Sequence, residues 1–326
     1  MLVETRPARR KNDVCLGNEY SFDSSMTPQR LGQHFLIDTS VVKMIVDAAD
    51  MRHDDIVVEV GPGRGALTKD IVSQAGKVLL IEYDAEMAAR LALRYETDSN
   101  VKVLNLDARH FGSDSHAWLS DGNYKVVANL PYYAANPIVR NFLESTHQPT
   151  TMVIMVQREV ANDMAAEPGD MSLLSLAVQI YASVDNVIDV PPECFDPPPK
   201  VHSSVLKLKP VGVPRLRFDS SEDFFKLARG GFKSPRKQLH NSLADGLFIN
   251  LDDARKLVNE TGIETTRRPA TLSIDDWQVL YEYGSPMEDP PTLRAQFVAV
   301  IGEISMTDQG NLVEKAYAKV NLTLEI

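Results

Sequence analysis

57-VVEVGPGRGALT-68 is the stretch whose reading decides the fold. A β-type run, Val57-Val-Glu-Val60, leads directly into Gly61, Gly63 and Gly65. Glycines at such a point allow a tight turn and let the backbone approach a ligand with no Cβ in the way. A strand, a glycine turn and then a helical pattern form the first β–α junction of a parallel sheet. The spacing is G-x-G-x-G rather than G-x-G-x-x-G, which disfavours a dinucleotide pyrophosphate on the helix N-terminus. Taken alone, a plain strand-to-helix turn would also account for it.

Working outward, apolar β-type runs recur at 56–60, 77–81, 101–106, 125–128 and 151–156, with helix-like stretches such as 85–95 between them. That alternation predicts βαβ units and a parallel sheet covered on both faces. Two later runs, 186–190 and 203–208, flank the proline-rich 191-PPECFDPPPK-200 and suggest an antiparallel hairpin at the end of the sheet. Beyond Pro210 the pattern turns helical. Ser220-Ser-Glu-Asp223 reads as a capping box, Gly230-Gly231 as a break in the helix that follows, and Ser234-Pro235 as the opening of another over 236–243. More helix is expected over 251–259 and 274–283. The expected organisation is a polar tail over 1–26, a catalytic α/β domain over 27–212, a small helical domain over 213–284 and an extension over 285–326.

Composition narrows the class. The chain has 326 residues, 44% of them apolar, enough for a sizeable core. No apolar run has the length of a membrane span, so no membrane partner and a cytoplasmic location are expected. Cys15 and Cys194, far apart in sequence, suggest neither a disulfide framework nor a metal cluster, and no metal is expected. The net charge of −11 argues against a uniformly basic nucleic-acid binder. Basic residues nevertheless gather at 6–11, at 226–237 and at Arg267-Arg268.

The chemistry lies at the strand ends. The second strand of the series ends at Glu82, twenty-one residues after Gly61, where an acid can accept both hydroxyls of a ribose. The third ends near Asp107, where a carboxylate can accept from an exocyclic adenine amine. Each alone could equally be a helix cap or a solvated turn residue. In register over four units they point to a nucleoside ligand without phosphates, which fits S-adenosylmethionine. The fourth strand ends in 129-NLPYY-133. Pro131 keeps Leu130 extended, so its carbonyl can stand clear of the strand beside the Asn129 side chain. Two such acceptors can hold both hydrogens of an amino group, and Tyr132 offers a face for a planar base. A tight aromatic turn is the alternative. Tyr133 has no role in this scheme and is expected to pack against the sheet.

With these residues in place, the chain resembles the KsgA/RsmA family, the small-subunit (16S) ribosomal RNA adenine-N6,N6-dimethyltransferases, and is similar also to the Erm resistance methyltransferases. The likeness runs from about Gln29 to Tyr283 through 32-GQHFLID-38, 59-EVGPGRGALT-68, Glu82, Asp107, 129-NLPYY-133, 195-FDPPPKVHSSV-205, 232-FKSPRKQLHNSL-243 and 267-RRPATLS-273. It implies a Rossmann-like S-adenosylmethionine-dependent methyltransferase sheet with a small C-terminal helical domain. It implies two successive methyl transfers to N6 of adjacent adenines, and a monomer acting on the 30S precursor. Gln33, His34 and Leu36 would close over the cofactor, Gly61 and Gly63 would approach its methionine part, Glu82 its ribose and Asp107 its adenine. Asn129 and Leu130 would hold the target amine, Asn129 also bordering the cofactor, with Tyr132 and Phe195 on either face of the target base. Without the resemblance, Phe195 reads as a loop aromatic capping the core and His34 as a surface residue. Lys200, Lys226, Arg229, Lys233, Arg236 and Lys237 are the candidates for RNA contact, or else a solvated helix face. An Erm-type 23S methyltransferase and a non-catalytic ribosome-assembly factor are the other readings. The end of the chain, 316-AYAKVNLTLEI-326, resembles the opening strand of GHMP-type kinases over that short stretch only.

Overall fold

The computed structural model describes residues 34–113 and 116–284. Gln33, Cys15, the basic run 6–11, the tail over 1–26 and the extension over 285–326 lie outside the described residues.

In chain order the elements are β1 (Phe35–Leu36), α1 (Thr39–Ala48), β2 (Ile56–Val60), α2 (Thr68–Gln74), β3 (Lys77–Glu82), α3 (Ala85–Arg94), β4 (Val101–Asn105), β5 (Tyr124–Asn129), α4 (Ala135–Leu143), β6 (Thr151–Gln157), α5 (Arg158–Met164), α6 (Leu173–Gln179), β7 (Ala182–Val190), β8 (Phe195–Asp196) and β9 (Ser203–Pro210). Four helices follow: α7 (Ser221–Phe232), α8 (Leu239–Leu247), α9 (Leu251–Glu260) and α10 (Ile274–Gly284).

Seven strands form one sheet in the order β4-β3-β2-β5-β6-β9-β7. The pairs from β4 to β6 are parallel. Strand β9 pairs antiparallel with both β6 and β7, so the expected hairpin closes that edge. After β2 the chain builds outward through β3 and β4, then returns to lay β5 on the other side of β2. The order therefore reverses between β2 and β5, and open α/β sheets bind ligands outside the strand ends at such a point.

Side chains alternate between two buried layers. Val58, Val60, Val126 and Ala128 face a core that also holds Phe142 and Met164. Val57, Val78, Leu80 and Val127 face a second core with Val41, Ile45 and Ile71. Strands buried on both faces explain the continuous apolar runs in the sequence. The first core continues without a gap into the helical segment through Leu216, Phe224, Leu243 and Trp277.

Four local expectations are corrected. Helix α7 runs through Gly230 and Gly231 to Phe232 instead of breaking there. Those glycines serve packing: a Cβ on Gly231 would sit 2.4 Å from the Trp277 ring, and one on Gly246 2.4 Å from the Gly230 Cα. Helix α8 begins at Leu239, not at residue 236. Residues 233–237 turn instead, with the Lys237 N–H donating to the Ser234 carbonyl at 2.9 Å and Ser234 N–H to the Ser242 hydroxyl at 2.8 Å. Tyr133 does not pack against the sheet but is 63% exposed, because the turn that closes from Ala134 N–H to the Pro131 carbonyl carries it outward. Cys194, finally, is buried and disulfide-bonded rather than unlinked.

Candidate active site

The glycine turn lies at the reversal of strand order. Gly61 and Gly63 have φ of +67° and +55°. A Cβ on Gly61 would stand 3.3 Å from the Asn129 carbonyl oxygen, and one on Gly63 3.4 Å from the Phe35 ring. Positive φ favours glycine at both positions, and at Gly61 the tight approach to a backbone oxygen adds to it. Around it opens a cavity of about 320 Å³. His34, Leu36, Gly61, Gly63, Glu82, Asp107, Asn129, Leu130, Tyr132 and Phe195 all line it, so every described candidate for cofactor or target binding meets in one place.

Glu82 is buried at the end of β3 and organises the turn. Its Oε2 accepts from Gly63 N–H and its Oε1 from Asp84 N–H, both at 2.9 Å. Burial raises its pKa, and these backbone donors work against the rise. Glu82→Ala leaves both part-buried donors without their acceptor, which costs about 1–3 kcal/mol in all. Its thermal midpoint should therefore fall by several degrees relative to wild type; an unchanged midpoint would show that the turn stands without its carboxylate.

Asp107 caps a short turn through Arg109 N–H at 2.9 Å and receives the Arg109 guanidinium, Nη2 to Oδ2 at 2.6 Å. The hydrogen bonds from Arg109 hold its carboxyl below the usual range. Asp107 thus acts as a cap and also lines the cavity.

The roof comes from a two-stranded piece. Leu36 of β1 pairs with Phe195 of β8. Ile37 N–H donates to the Cys194 carbonyl at 2.8 Å, and His34 Nδ1–H to the Pro197 carbonyl at 2.7 Å. This ties the segment before α1 across the mouth of the glycine turn. Arg64 stacks 4.0 Å over the Phe35 ring and pairs with Asp196 at 3.7 Å. Phe195 is only 3% exposed: it belongs to the second core, as an aromatic capping the core would, and it also lines the cavity. Tyr132 lies near the His34 ring at 6.4 Å, and its hydroxyl shares a 2.7 Å hydrogen bond with Ser203. Asn129 ends β5 opposite Met155, and Leu130 N–H donates to the Met155 carbonyl at 3.1 Å, so the sheet fixes both residues.

The six basic candidates lie outside this cavity, and all are exposed. Lys226, Arg229 and Lys233 share one face at the end of α7 by helical spacing, whereas Lys237 is paired with Asp245 at 2.6 Å. Among the described residues no group of three His, Cys, Asp or Glu is placed to hold a metal ion, and no helix is long and apolar enough to cross a membrane.

One lining residue was passed over in the sequence. Glu59 is an acid inside an apolar strand, 1% exposed, and its Oε2 lacks a hydrogen-bond partner. Burial pushes its carboxyl up to about 8, and the nearby Glu82 adds to the rise. Thr68 lies close enough to temper this, though its own hydroxyl lacks a partner of normal geometry. The folded protein keeps this proton to higher pH than the unfolded chain, whose carboxyl titrates near 4.5. Its contribution to stability is therefore present below pH 4.5 and is lost as pH rises to about 8. Glu59→Gln keeps the shape without the charge. The two proteins should melt together near pH 5, and by pH 8 the variant should be the more stable by several degrees. Parallel melting curves across that range would rule the buried proton out.

The comparisons bear on what such a site belongs to. The family model described as ribosomal RNA adenine dimethylase matches residues 26–284. Curated relatives named Ribosomal RNA small subunit methyltransferase A include one from Dehalococcoides mccartyi, 42% identical over 252 residues, covering 77% of this chain and 86% of that protein. Another, from Halothermothrix orenii, is 40% identical over 259 residues, covering 77% and 85%. Among solved structures, a dimethyladenosine transferase from Plasmodium falciparum is similar with a TM-score of 0.63 and 24% identity, covering 77% of this chain and 98% of that one. The 23S rRNA methyltransferase ErmE is similar at 0.60 and 24%, covering 76% and 98%. The two structural likenesses speak to the fold alone: a Rossmann-like sheet with a helical C-terminal part. With the family model spanning the sheet, the cavity and the helices alike, the chain belongs to the ribosomal RNA adenine dimethylase family.

Proposed function

We propose that this protein transfers methyl groups from S-adenosylmethionine to N6 of two adjacent adenines in small-subunit (16S) ribosomal RNA, giving N6-dimethyladenosine during 30S subunit biogenesis. The observation that carries this reading is the convergence of Gly61, Glu82, Asp107 and Asn129, from four neighbouring parallel strands, on one cavity in a chain of this family.

The cavity fits the cofactor. Glycines whose Cβ atoms would fill the turn leave a cradle for its methionine part. Each Glu82 oxygen accepts one backbone N–H and keeps a lone pair for a ribose hydroxyl. Asp107 takes the adenine amine once Arg109, half-exposed at the mouth, moves aside. Bound there, the cofactor supplies an electrophilic sulfonium methyl group.

The protein's part is positioning. An exocyclic adenine nitrogen is a poor nucleophile because its lone pair is delocalised into the ring. Asn129 Oδ1 and the Leu130 carbonyl accept its two hydrogens, favour a pyramidal nitrogen and aim the lone pair. Tyr132, its ring fixed through Ser203, and the buried Phe195 hold the base between them. Burial raises the Tyr132 phenol, so it stays neutral and serves as a face rather than a base. The base must leave its stack to reach these groups. Lys200, Lys226, Arg229, Lys233, Arg236 and Lys237 then contact the RNA backbone, which selects by shape. The protein does this as a monomer in the cytoplasm.

The test is methyl transfer from labelled cofactor to 30S subunits lacking these methyl groups, with 50S subunits and naked RNA alongside. Labelling of 30S at adenine is expected. Labelling of 50S alone would overturn the reading in favour of an Erm-type reaction, and binding without transfer would favour an assembly factor.

A further inference from the structure

Tyr133 is exposed although it borders the cavity and follows directly on Tyr132. Arg109 lines the same cavity, and its guanidinium lies within electrostatic reach of the Tyr133 hydroxyl. Without the cofactor Arg109 gives Nε and Nη2 to Asp107; once the adenine takes that carboxylate, the displaced guanidinium stays at the mouth without its carboxylate partner. The pair thus presents one aromatic face and one cation at the opening, outside the residues that enclose a target base. Tyr83, also exposed at the mouth, directly follows Glu82 and so belongs to the cofactor side.

A nucleic acid offers its target base as one unit of a polymer. When that base swings into a cavity, the next nucleotide is held at the rim by a single phosphodiester link. A side chain with both an exposed π-face and an adjacent cation is the chemistry that holds such a nucleotide, the base by stacking and the phosphate by charge.

We propose that Tyr133 and Arg109 form a rim subsite for the nucleotide next to the target adenine, Tyr133 stacking on its base and Arg109 facing its phosphate. The subsite rests on the methyltransferase reading above. It keeps the neighbouring base close while the first is modified, which suits a substrate carrying two targets side by side.

The full chain is assayed with 30S subunits lacking the modification and with a synthetic RNA hairpin carrying the target adenine beside either a normal or an abasic nucleotide. Tyr133→Ala should raise the KM for RNA roughly five- to a hundredfold, the effect of losing one base stack, with the dissociation constant for the cofactor unchanged. Tyr133→Phe keeps the ring and should behave as wild type, which separates stacking from a folding defect. On the abasic hairpin, wild type should lose the same factor and Tyr133→Ala should lose nothing further. An unchanged KM in Tyr133→Ala, or a loss confined to cofactor affinity, overturns the subsite while leaving the reaction standing. A wild type that methylates neither substrate sinks the functional reading and the subsite with it.

Discussion

Asn129→Ala should lower methyl transfer by about a hundred- to a thousandfold, the usual effect of removing one preorganised polar contact to a reacting group, while cofactor affinity stays within a few fold. The size follows from where the residue is held. Asn129 ends a central strand, its register fixed against Met155, and its carbonyl lies under the Gly61 turn. Nothing about that backbone changes on truncation, so the loss should be confined to the amine-holding step. It should appear in kcat more than in the KM for RNA, because the contact aligns a lone pair rather than supplying most of the binding energy. Single-turnover methyl transfer, with calorimetric titration of the cofactor, separates the two. Full activity in the alanine variant would remove the acceptor role of Asn129 altogether.

A large stability effect is also expected far from the cavity. Gly246→Ala places a methyl group 2.4 Å from the Gly230 Cα and 2.5 Å from its carbonyl oxygen. Both are backbone atoms, so no rotamer change relieves the contact and helices α7 and α8 must part. Overpacking of this kind costs about 1–3 kcal/mol, occasionally more, or roughly 2–6 °C in thermal midpoint for a chain of this size. Because the first core runs unbroken from the sheet into the helices, the fall should appear in one transition rather than two. Gly112→Ala is the control, since its Cβ would meet nothing within 4 Å. A Gly246→Ala melt that overlays the control would mean that the close crossing is not maintained in solution.

The two cases differ in how much the sequence reveals. The residues that line the cavity were legible because each strand end is marked locally: glycines after 57-VVEV-60, an acid after the next run, another after the third, and Asn-Leu-Pro after the fourth. A parallel sheet then brings those ends together whatever the details of packing. Gly230-Gly231 was misread for the opposite reason. Locally, paired glycines weaken a helix, and nothing nearby says that Gly246 and Trp277 will pack against them. Arg236 and Lys237 were likewise placed on a helix from Ser234-Pro235. The tertiary bonds of Ser234 to Ser242 and of Leu239 N–H to the Arg267 carbonyl favour a turn there.

By itself the sequence determined the order of strands and helices, the two-sided burial of the sheet and the set of polar residues at its carboxyl edge. These follow from periodicity and from turn chemistry, which act over a few residues. Only the tertiary structure decided that β5 lies beside β2, so that Asn129 meets Gly61. It alone decided that Arg109 engages Asp107, that one Glu59 oxygen is sealed without a partner and that Tyr133 faces outward. Those outcomes depend on which surfaces are covered by distant parts of the chain, and burial is a property of the assembled layers rather than of any stretch within them.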